Sequence, residues 1–293
     1  MKTNLSRRQF LGTIAAAGLT VRTSAAQQVR LGYAAITWGG EDEKAIDDIA
    51  SVGFKGIQLR ASVFPTFGDR PAALRDLLKK RGLTFAVLSS GNLVIDPAVE
   101  REQIALHRQH AEFVRDAGGQ FIQVIDEAPK GRAVTKDDCT RVGRLLTTLG
   151  KETAAVGIPL VYHHHMNSVG EKPEQIAAVL DAADPKHVGL LFDIAHYQQG
   201  GGDPVSAIRK YRQWIKVVHL KDVIAIPEAP HYRFVELGHG RVDVKGAVAR
   251  LKDIGFSSWA IVELDRPTLP GATPKSSAIA NREYVEKQLG LTL

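Results

Sequence analysis

The sequence predicts an α/β fold, a (β/α)₈ TIM barrel that forms one domain over residues 27–293. Short apolar runs typical of buried parallel strands alternate about eight times with helix-like segments. No change in composition interrupts this alternation, which favours one barrel over two domains. A doubly wound open sheet is the alternative fold. It is disfavoured because no glycine-rich phosphate-binding turn follows the first strand.

Each predicted strand lies in a stretch that ends in polar residues, and most stretches begin near a glycine that can stop a preceding helix. The eight stretches are 29–38, 52–60, 81–90, 117–126, 156–165, 187–196, 214–222 and 254–265. Helices are predicted between them. Residues 69–82 show the pattern most fully, with an acidic start, an early proline, a basic end and a closing glycine. The other predicted helices are 96–118, 135–157, 172–184, 203–214 and 243–255.

The first 26 residues predict a twin-arginine signal peptide. They combine a basic start, an apolar run over 10–21 that is too short to span a membrane, and small residues at 24–26. "SRRQFLG", residues 6–12, matches the twin-arginine export pattern. We therefore expect recognition by the twin-arginine machinery, cleavage after Ala26, and a periplasmic or otherwise exported protein without a membrane anchor. A disordered basic tail is the alternative.

The formal net charge of +6 belongs largely to this segment. It carries four basic residues and no acidic ones, so its removal leaves a charge of +2. No basic stripe with interleaved aromatic residues occurs in the remainder, so a nucleic-acid partner is not expected. Cys139 is the single cysteine, which excludes an internal disulfide. The sequence does not indicate an oligomeric state.

Metal-capable side chains close four successive predicted strands, the fifth to the eighth. They are His163, Asp193, His219 and Glu263. Each alone has an ordinary structural explanation, such as a core histidine, a helix cap or a partner for arginine. Their agreement in position is the stronger argument, because the carboxyl ends of the strands form the active site of such barrels. Mixed imidazole and carboxylate ligands predict one divalent ion, Mn²⁺ first, with Zn²⁺, Co²⁺, Fe²⁺ or Mg²⁺ as alternatives.

The run "LVYHHHMNS", residues 160–168, places three histidines at the end of the fifth strand. Neighbouring side chains on a strand point to opposite faces. If His163 faces the barrel mouth, His165 does too, and His164 faces the helices. We therefore expect His163 to bind metal, His165 to contact substrate or transfer a proton, and His164 to serve in packing. The same alternation places Lys221 with His219.

Several motifs resemble the xylose isomerase-like TIM-barrel superfamily of sugar phosphate isomerases and epimerases, and within it the inosose dehydratase branch. They are "ITWGGED", "VYHHHM", "LLFDIAH", "HLKDV" and "ELGHGRVD". The resemblance runs from about residue 29 to the end of the chain. It implies one divalent metal ion and a small carbohydrate substrate. It also implies a substrate contact from His196, in the "DxxH" of the sixth strand. We further expect Lys221 and Trp38 to bind substrate.

This sequence departs from the epimerase pattern at His163, where the family usually has a glutamate. Epimerases use two glutamates as bases on opposite faces of the substrate, and the histidine breaks that pair. We therefore expect a lyase that removes a β-oxygen from a keto-sugar, keto-inositol or keto-glycoside through an enediolate. His165 or Glu263 would take the α-proton, while Lys221 or His196 would hold the oxyanion or protonate the leaving oxygen.

Three other functions remain open from the sequence. The first is a sugar isomerase or epimerase of the same superfamily. The second is an exported carbohydrate-binding barrel whose metal is structural, which would have a closed coordination sphere. The third is an endonuclease IV-like phosphodiesterase. It is disfavoured because the second and third strands end near Gln58 and Ser89 without further metal ligands, and because export separates the protein from DNA.

Overall fold

Eight parallel strands close into a barrel in the computed structural model, which describes residues 29–293. The barrel strands are β1 Arg30–Ala34, β2 Gly56–Arg60, β3 Thr84–Leu93, β4 Phe121–Asp126, β5 Leu160–His163, β6 Val188–Asp193, β7 Ile215–Leu220 and β10 Trp259–Val262. The last strand pairs with the first, so the barrel has no open edge. The predicted (β/α)₈ fold is confirmed. The predicted signal peptide lies outside the described residues.

Helices lie between the strands. They are α1 Asp42–Val52, α2 Phe64–Phe67, α3 Pro71–Lys80, α4 Glu100–Asp116, α5 Lys136–Ala155, α6 Pro173–Asp181, α7 Ile194–Gln199, α8 Pro204–Lys210, α9 Val244–Asp253 and α10 Pro274–Leu289. Short 3₁₀ turns occupy 35–38 and 61–63. The sequence pattern predicted neither α1 nor α10. Among the helices within residues 29–293, none is both long enough and apolar enough to cross a bilayer.

The barrel interior holds a small apolar layer that supports the strand ends. Its buried members include Val161, Leu191, Val217 and Ile261. Each of these lies two positions before one of the four predicted metal ligands, and residues two apart on a strand share a face. Strand alternation therefore puts the ligands directly above this layer, at the carboxyl end of the barrel. A second and larger apolar cluster lies between the strands and the helices.

An antiparallel hairpin, β8 Asp222–Ala225 with β9 Tyr232–Val235, extends from the end of β7 and was not predicted. The Asp222 carboxylate holds its base. It accepts hydrogen bonds from the backbone N–H groups of Val223, Gly238, Gly240 and Val242 at 2.9–3.0 Å. A Cβ at position 240 would lie 2.1 Å from an Asp222 oxygen, so only glycine fits there. The motifs "HLKDV" and "ELGHGRVD" thus meet in one structural contact.

Candidate active site

The four predicted metal ligands converge above the inner apolar layer. Asp193 Oδ2 lies 3.7 Å from His163 Nε2 and 3.3 Å from His219 Nδ1. His219 Nδ1 lies 3.5 Å from Glu263 Oε2. Atoms bound tetrahedrally to one ion at about 2.1 Å stand about 3.4 Å apart. All four side chains are buried, and their spacing therefore suits a shared divalent ion.

The two carboxylates of this cluster are ionised. Burial alone would raise the pKa of Asp193, but the surrounding imidazoles and the Lys221 ammonium bring it well below its usual range. Burial likewise opposes ionisation of Glu263, but His219 and Lys221 lower its pKa to about 2. Burial lowers the pKa of His163 to about 4, so its imidazole is neutral near pH 7. The cluster combines fixed negative charge with neutral imidazole, which is the donor set that a divalent cation prefers.

Two buried nitrogen atoms in this cluster lack hydrogen-bond partners among the described residues. They are His163 Nε2 and His196 Nε2. Each lies 3.7–3.9 Å from Asp193 Oδ2, which is too far for a hydrogen bond. Buried polar atoms are normally paired, and an unpaired group costs free energy. The two unpaired nitrogen atoms lie beside the Asp193 carboxylate. This arrangement fits a site that binds a ligand, either a metal ion or a substrate oxygen.

His164 and His165 point to opposite sides of the strand end, as strand alternation requires. His164 is fully buried against Phe192 and Tyr197, and its Nε2 accepts the backbone N–H of Asp193. His165 instead lines the cavity at the barrel mouth. Its Nδ1 lies 2.8 Å from the carbonyl oxygen of Met166. A carbonyl only accepts hydrogen bonds, so the His165 proton is on Nδ1 and Nε2 keeps a free electron pair.

Lys221 is buried beside the acids at the ends of β7 and β10. Its ammonium donates to Glu263 Oε1 at 2.8 Å and to Asp265 Oδ1 at 2.7 Å, and it lies 4.0 Å from the centre of the Phe234 ring. Burial would lower its pKa, but Glu263 and Asp265 raise it above the usual value. Lys221 is therefore a fixed positive charge, which suits the stabilisation of an oxyanion.

A cavity of about 300 Å³ opens above these groups. Its lining includes Gln58, His163, His165, Lys221 and Glu263. A second cavity of about 500 Å³ lies beside it, under the hairpin, and shares His165 and Asp265 with the first. Tyr232, Phe234 and Pro267 give this outer cavity an aromatic and apolar wall.

The structure does not bring every predicted substrate-binding residue into a cavity. Trp38 is buried against Tyr33, and its indole N–H donates to Asp48, because the chain turns into a 3₁₀ helix after β1 and presents Ile36 to the cavity instead. His196 lies below the cavity, fully buried, and its ring is 3.8 Å from that of His165.

The sequence analysis did not identify two polar residues as part of the site. Gln58 and Gln123 are buried polar side chains at the cavity floor, within reach of His219 and His163 respectively. A signal for them exists in the sequence, since "GIQLR" and "FIQVID" each place a glutamine inside an otherwise apolar strand. A polar residue at such a position requires a partner inside the barrel.

Comparison with known proteins agrees with this architecture. A family model described as "Xylose isomerase-like TIM barrel" matches residues 46–288. Inosose dehydratase of Lacticaseibacillus casei is 26% identical, and the match covers 90% of this chain and 98% of that protein. Inosose dehydratase of Geobacillus thermodenitrificans strain NG80-2 is 28% identical, with the same coverage.

Solved structures share the fold at lower identity. The structure of IolI protein with a binding zinc atom matches with a TM-score of 0.75 and 18% identity, covering 89% of this chain and 98% of that chain. L-ribulose 3-epimerase matches with a TM-score of 0.73 and 19% identity, covering 90% and 95%.

Proposed function

Because the chain belongs to the xylose isomerase-like TIM barrel family, we propose that it is an enzyme that binds one divalent metal ion and eliminates a β-oxygen from a keto-sugar, keto-inositol or keto-glycoside. It acts as a carbon–oxygen lyase or as a sugar isomerase or epimerase. The inosose dehydratases among its relatives favour the lyase. We propose Mn²⁺ as the ion, with Zn²⁺, Co²⁺, Fe²⁺ or Mg²⁺ as alternatives.

The observation that carries this proposal is that four strand-end donors lie close together below a cavity lined by His165 and Lys221. The groups that would hold the ion come from His163, Asp193, His219 and Glu263. When bound, such an ion supplies Lewis-acid polarisation of substrate oxygen atoms.

His165 is the base that the geometry favours. Its side chain lines the cavity. Nε2 keeps a free electron pair because Nδ1 donates its proton to a backbone carbonyl. Glu263 is less suited, because one of its oxygens binds Lys221 and the other faces His219. His165 would take the proton from the carbon next to the keto group and can return it to the departing oxygen.

Lys221 would stabilise the negative charge that develops on the substrate oxygen as the C–H bond breaks. Its ammonium is fixed in place by Glu263 and Asp265, so the charge is already oriented before substrate binds. His196 accepts the backbone N–H of Met166 at Nδ1, so its proton is on Nε2. Its side chain lines neither cavity, so its N–H points into the buried cluster around Asp193 rather than at a substrate in the cavity.

The paired cavities favour a keto-glycoside over a single-ring substrate. The inner cavity of about 300 Å³ is at the lower end of the range for small-molecule sites, and the outer one offers a further apolar wall. The two cavities share His165 and Asp265. A glycosidic C–O bond would then lie where they meet, beside the proposed base.

Purified protein residues 27–293, loaded with Mn²⁺, should be incubated with keto-inositols, ketoses and 3-keto-glycosides, followed by mass spectrometry. We expect loss of water or release of the second ring, and no reaction after chelation and dialysis. Interconversion of isomers without loss of oxygen would replace the lyase by an isomerase. Metal binding without turnover of any member would favour the carbohydrate-binding barrel.

We also propose that the enzyme acts outside the cytoplasm after twin-arginine export, because residues 6–12 carry the arginine pair. Replacing Arg7 and Arg8 by lysine should leave the precursor in the cytoplasm, measured by fractionation. Unchanged export of that variant would contradict the twin-arginine route.

A further inference from the structure

Four side chains on the cavity floor form one continuous hydrogen-bonded chain. His219 Nε2 lies 2.9 Å from Gln58 Oε1, Gln58 Nε2 lies 3.1 Å from Gln123 Oε1, and Gln123 Nε2 lies 2.9 Å from His163 Nδ1. All four residues are buried, with no more than 3% of their surface exposed. We call this chain the amide relay. It links β7, β2, β4 and β5, and its ends are two of the four histidine and carboxylate donors of the candidate metal centre.

The relay has a direction, because each hydrogen bond needs one donor and one acceptor. An amide group accepts at its oxygen and donates at its nitrogen, so the direction passes unchanged through both glutamines. If one neutral histidine donates into the relay, the other must accept from it. For both to donate, the two glutamine NH₂ groups would have to face each other across 3.1 Å. The relay therefore forces the two histidines into opposite roles, one as the donor into the relay and the other as the acceptor from it.

Glu263 sets which direction is taken. Its Oε2 lies 3.4 Å from Gln58 Nε2. A carboxylate can only accept, so the Gln58 amide turns its nitrogen toward Glu263 and its oxygen toward His219. His219 then carries its proton on Nε2, and its Nδ1 electron pair faces the oxygens of Asp193 and Glu263 at 3.3 and 3.5 Å. An electron pair facing two carboxylates calls for a cation between them.

The same direction determines the state of His163. The Gln123 oxygen accepts from Gln58, so its NH₂ group donates to His163 Nδ1. The proton of neutral His163 is therefore on Nε2, which is the buried atom without a partner. A nitrogen that carries a proton has no electron pair in the ring plane with which to bind a metal ion.

We propose that Gln58 and Gln123 are positioning residues that make His219 a metal ligand and hold His163 as an N–H donor to a substrate oxygen. The metal would then be bound by Asp193, His219 and Glu263 alone, which reduces the proposed set of four ligands to three. Three protein ligands leave positions open for substrate, as catalytic sites require. The unpartnered His163 N–H is directed into the same site and would donate a hydrogen bond to the oxygen that gains charge. This inference rests on the proposed metal-dependent function.

The first test uses metal-free protein and ring ¹⁵N NMR, with the His163 signals assigned by their loss in His163→Leu. Protonated and unprotonated ring nitrogens differ widely in ¹⁵N shift, so the tautomer is read directly. We expect the His163 and His219 protons both on Nε2. A His163 proton on Nδ1 would overturn the proposal. This measurement needs neither metal nor substrate, so it decides the relay even if the protein binds no divalent ion and the proposed function fails.

The second test measures Mn²⁺ affinity by competition with a chelator. His163→Leu should stay within about threefold of the unaltered protein, because His163 does not bind the ion. Gln123→Glu replaces the donor at the end of the relay by an acceptor, which moves the His163 proton to Nδ1 and frees Nε2. We expect that variant to bind Mn²⁺ on the order of 10- to 100-fold more tightly, the range found when groups behind metal ligands are altered.

The double variant His163→Leu/Gln123→Glu separates this mechanism from simple charge. If the gain comes from a new imidazole ligand, the double variant returns to the affinity of His163→Leu. If the gain remains, the added charge alone explains it and the relay does not control His163. A loss of tenfold or more in His163→Leu itself would make His163 a ligand and refute the proposal.

Discussion

Backbone contacts fix the proton positions of three histidines in the site. His164 and His196 each accept a backbone N–H, whereas His165 donates to a backbone carbonyl. Strand alternation in the sequence separates His164 from its two neighbours. It cannot assign the protons, because the contacts depend on how the loop after β5 turns back. His164 and His165 therefore both carry the proton on Nδ1, although the first is enclosed by packing and the second lines the cavity.

His165→Gln tests the residue that we assign as the base. Glutamine keeps the size and polarity of the side chain but cannot take a proton. We expect Mn²⁺ affinity to stay within about threefold and solvent-deuterium exchange at the substrate α-carbon to fall about 10²- to 10⁴-fold. Exchange is measured by NMR on the substrate identified in the screen.

His231→Gln provides the matched control, since that histidine is exposed on the hairpin. It should leave exchange unchanged. Undiminished exchange in His165→Gln would mean that Glu263 is the base and that His165 does not take the α-proton.

Gln58 and Gln123 show the limit of sequence-based prediction for single residues. Each is visible as a polar residue in an apolar strand, but their partners lie 161 and 40 positions away. Only closure of the barrel brings these side chains together. The hydrogen bonds between them then determine which ring nitrogen of each histidine carries the proton.

At the scale of elements, the barrel strands were more predictable than the hairpin that covers part of the site. The alternation of apolar runs located all eight barrel strands, because buried parallel strands need such runs. The hairpin β8–β9 was missed since it begins directly after β7 and its two strands are only four residues each. It nevertheless forms part of the outer cavity and places Phe234 against Lys221.

Asp222→Asn tests the contact that holds the base of this hairpin. The carboxylate accepts from four backbone N–H groups. An amide would point its NH₂ group at two of them, which removes hydrogen bonds and brings donors together. We expect a loss of roughly 2–4 kcal/mol in the free energy of unfolding, measured by urea denaturation.

Asp253→Asn, at an acid that is 62% exposed at the end of α9, is the control and should change stability by less than about 0.5 kcal/mol. Equal stability of the two variants would mean that water or a rearranged loop satisfies the N–H groups.

At the scale of the whole molecule, several histidines are buried in their neutral form. Burial lowers the pKa of His107 and His163 to about 4 and that of His164 to about 3. In the unfolded chain a histidine has a pKa of about 6.5. Between these values the unfolded chain binds more protons than the folded one, so stability rises with pH. The stabilisation is complete above about pH 6.5 and is lost as the pH falls toward 4.

His107 offers a measure of this effect away from the site. It lies between the carbonyl of Asn92 and the hydroxyl of Ser90, which also contacts His110. At pH 5 its share of the lost stability is about 2 kcal/mol relative to neutral pH. The metal-free protein should therefore lose stability between pH 7 and pH 5, and His107→Gln should lose about 2 kcal/mol less. Urea midpoints at several pH values give the comparison. Parallel pH profiles of the two proteins would show that His107 does not titrate with unfolding.

The division of the site between the two halves of the barrel has an evolutionary consequence. The proposed reacting groups come from β5, β6, β7 and β10, whereas Gln58 and Gln123, which orient them, come from β2 and β4. Mutations in the first half can therefore alter the chemistry while the reacting set stays intact. The effect of any change at Gln58 or Gln123 then depends on which residue stands at 163, so these positions should vary together among descendants of a common ancestor.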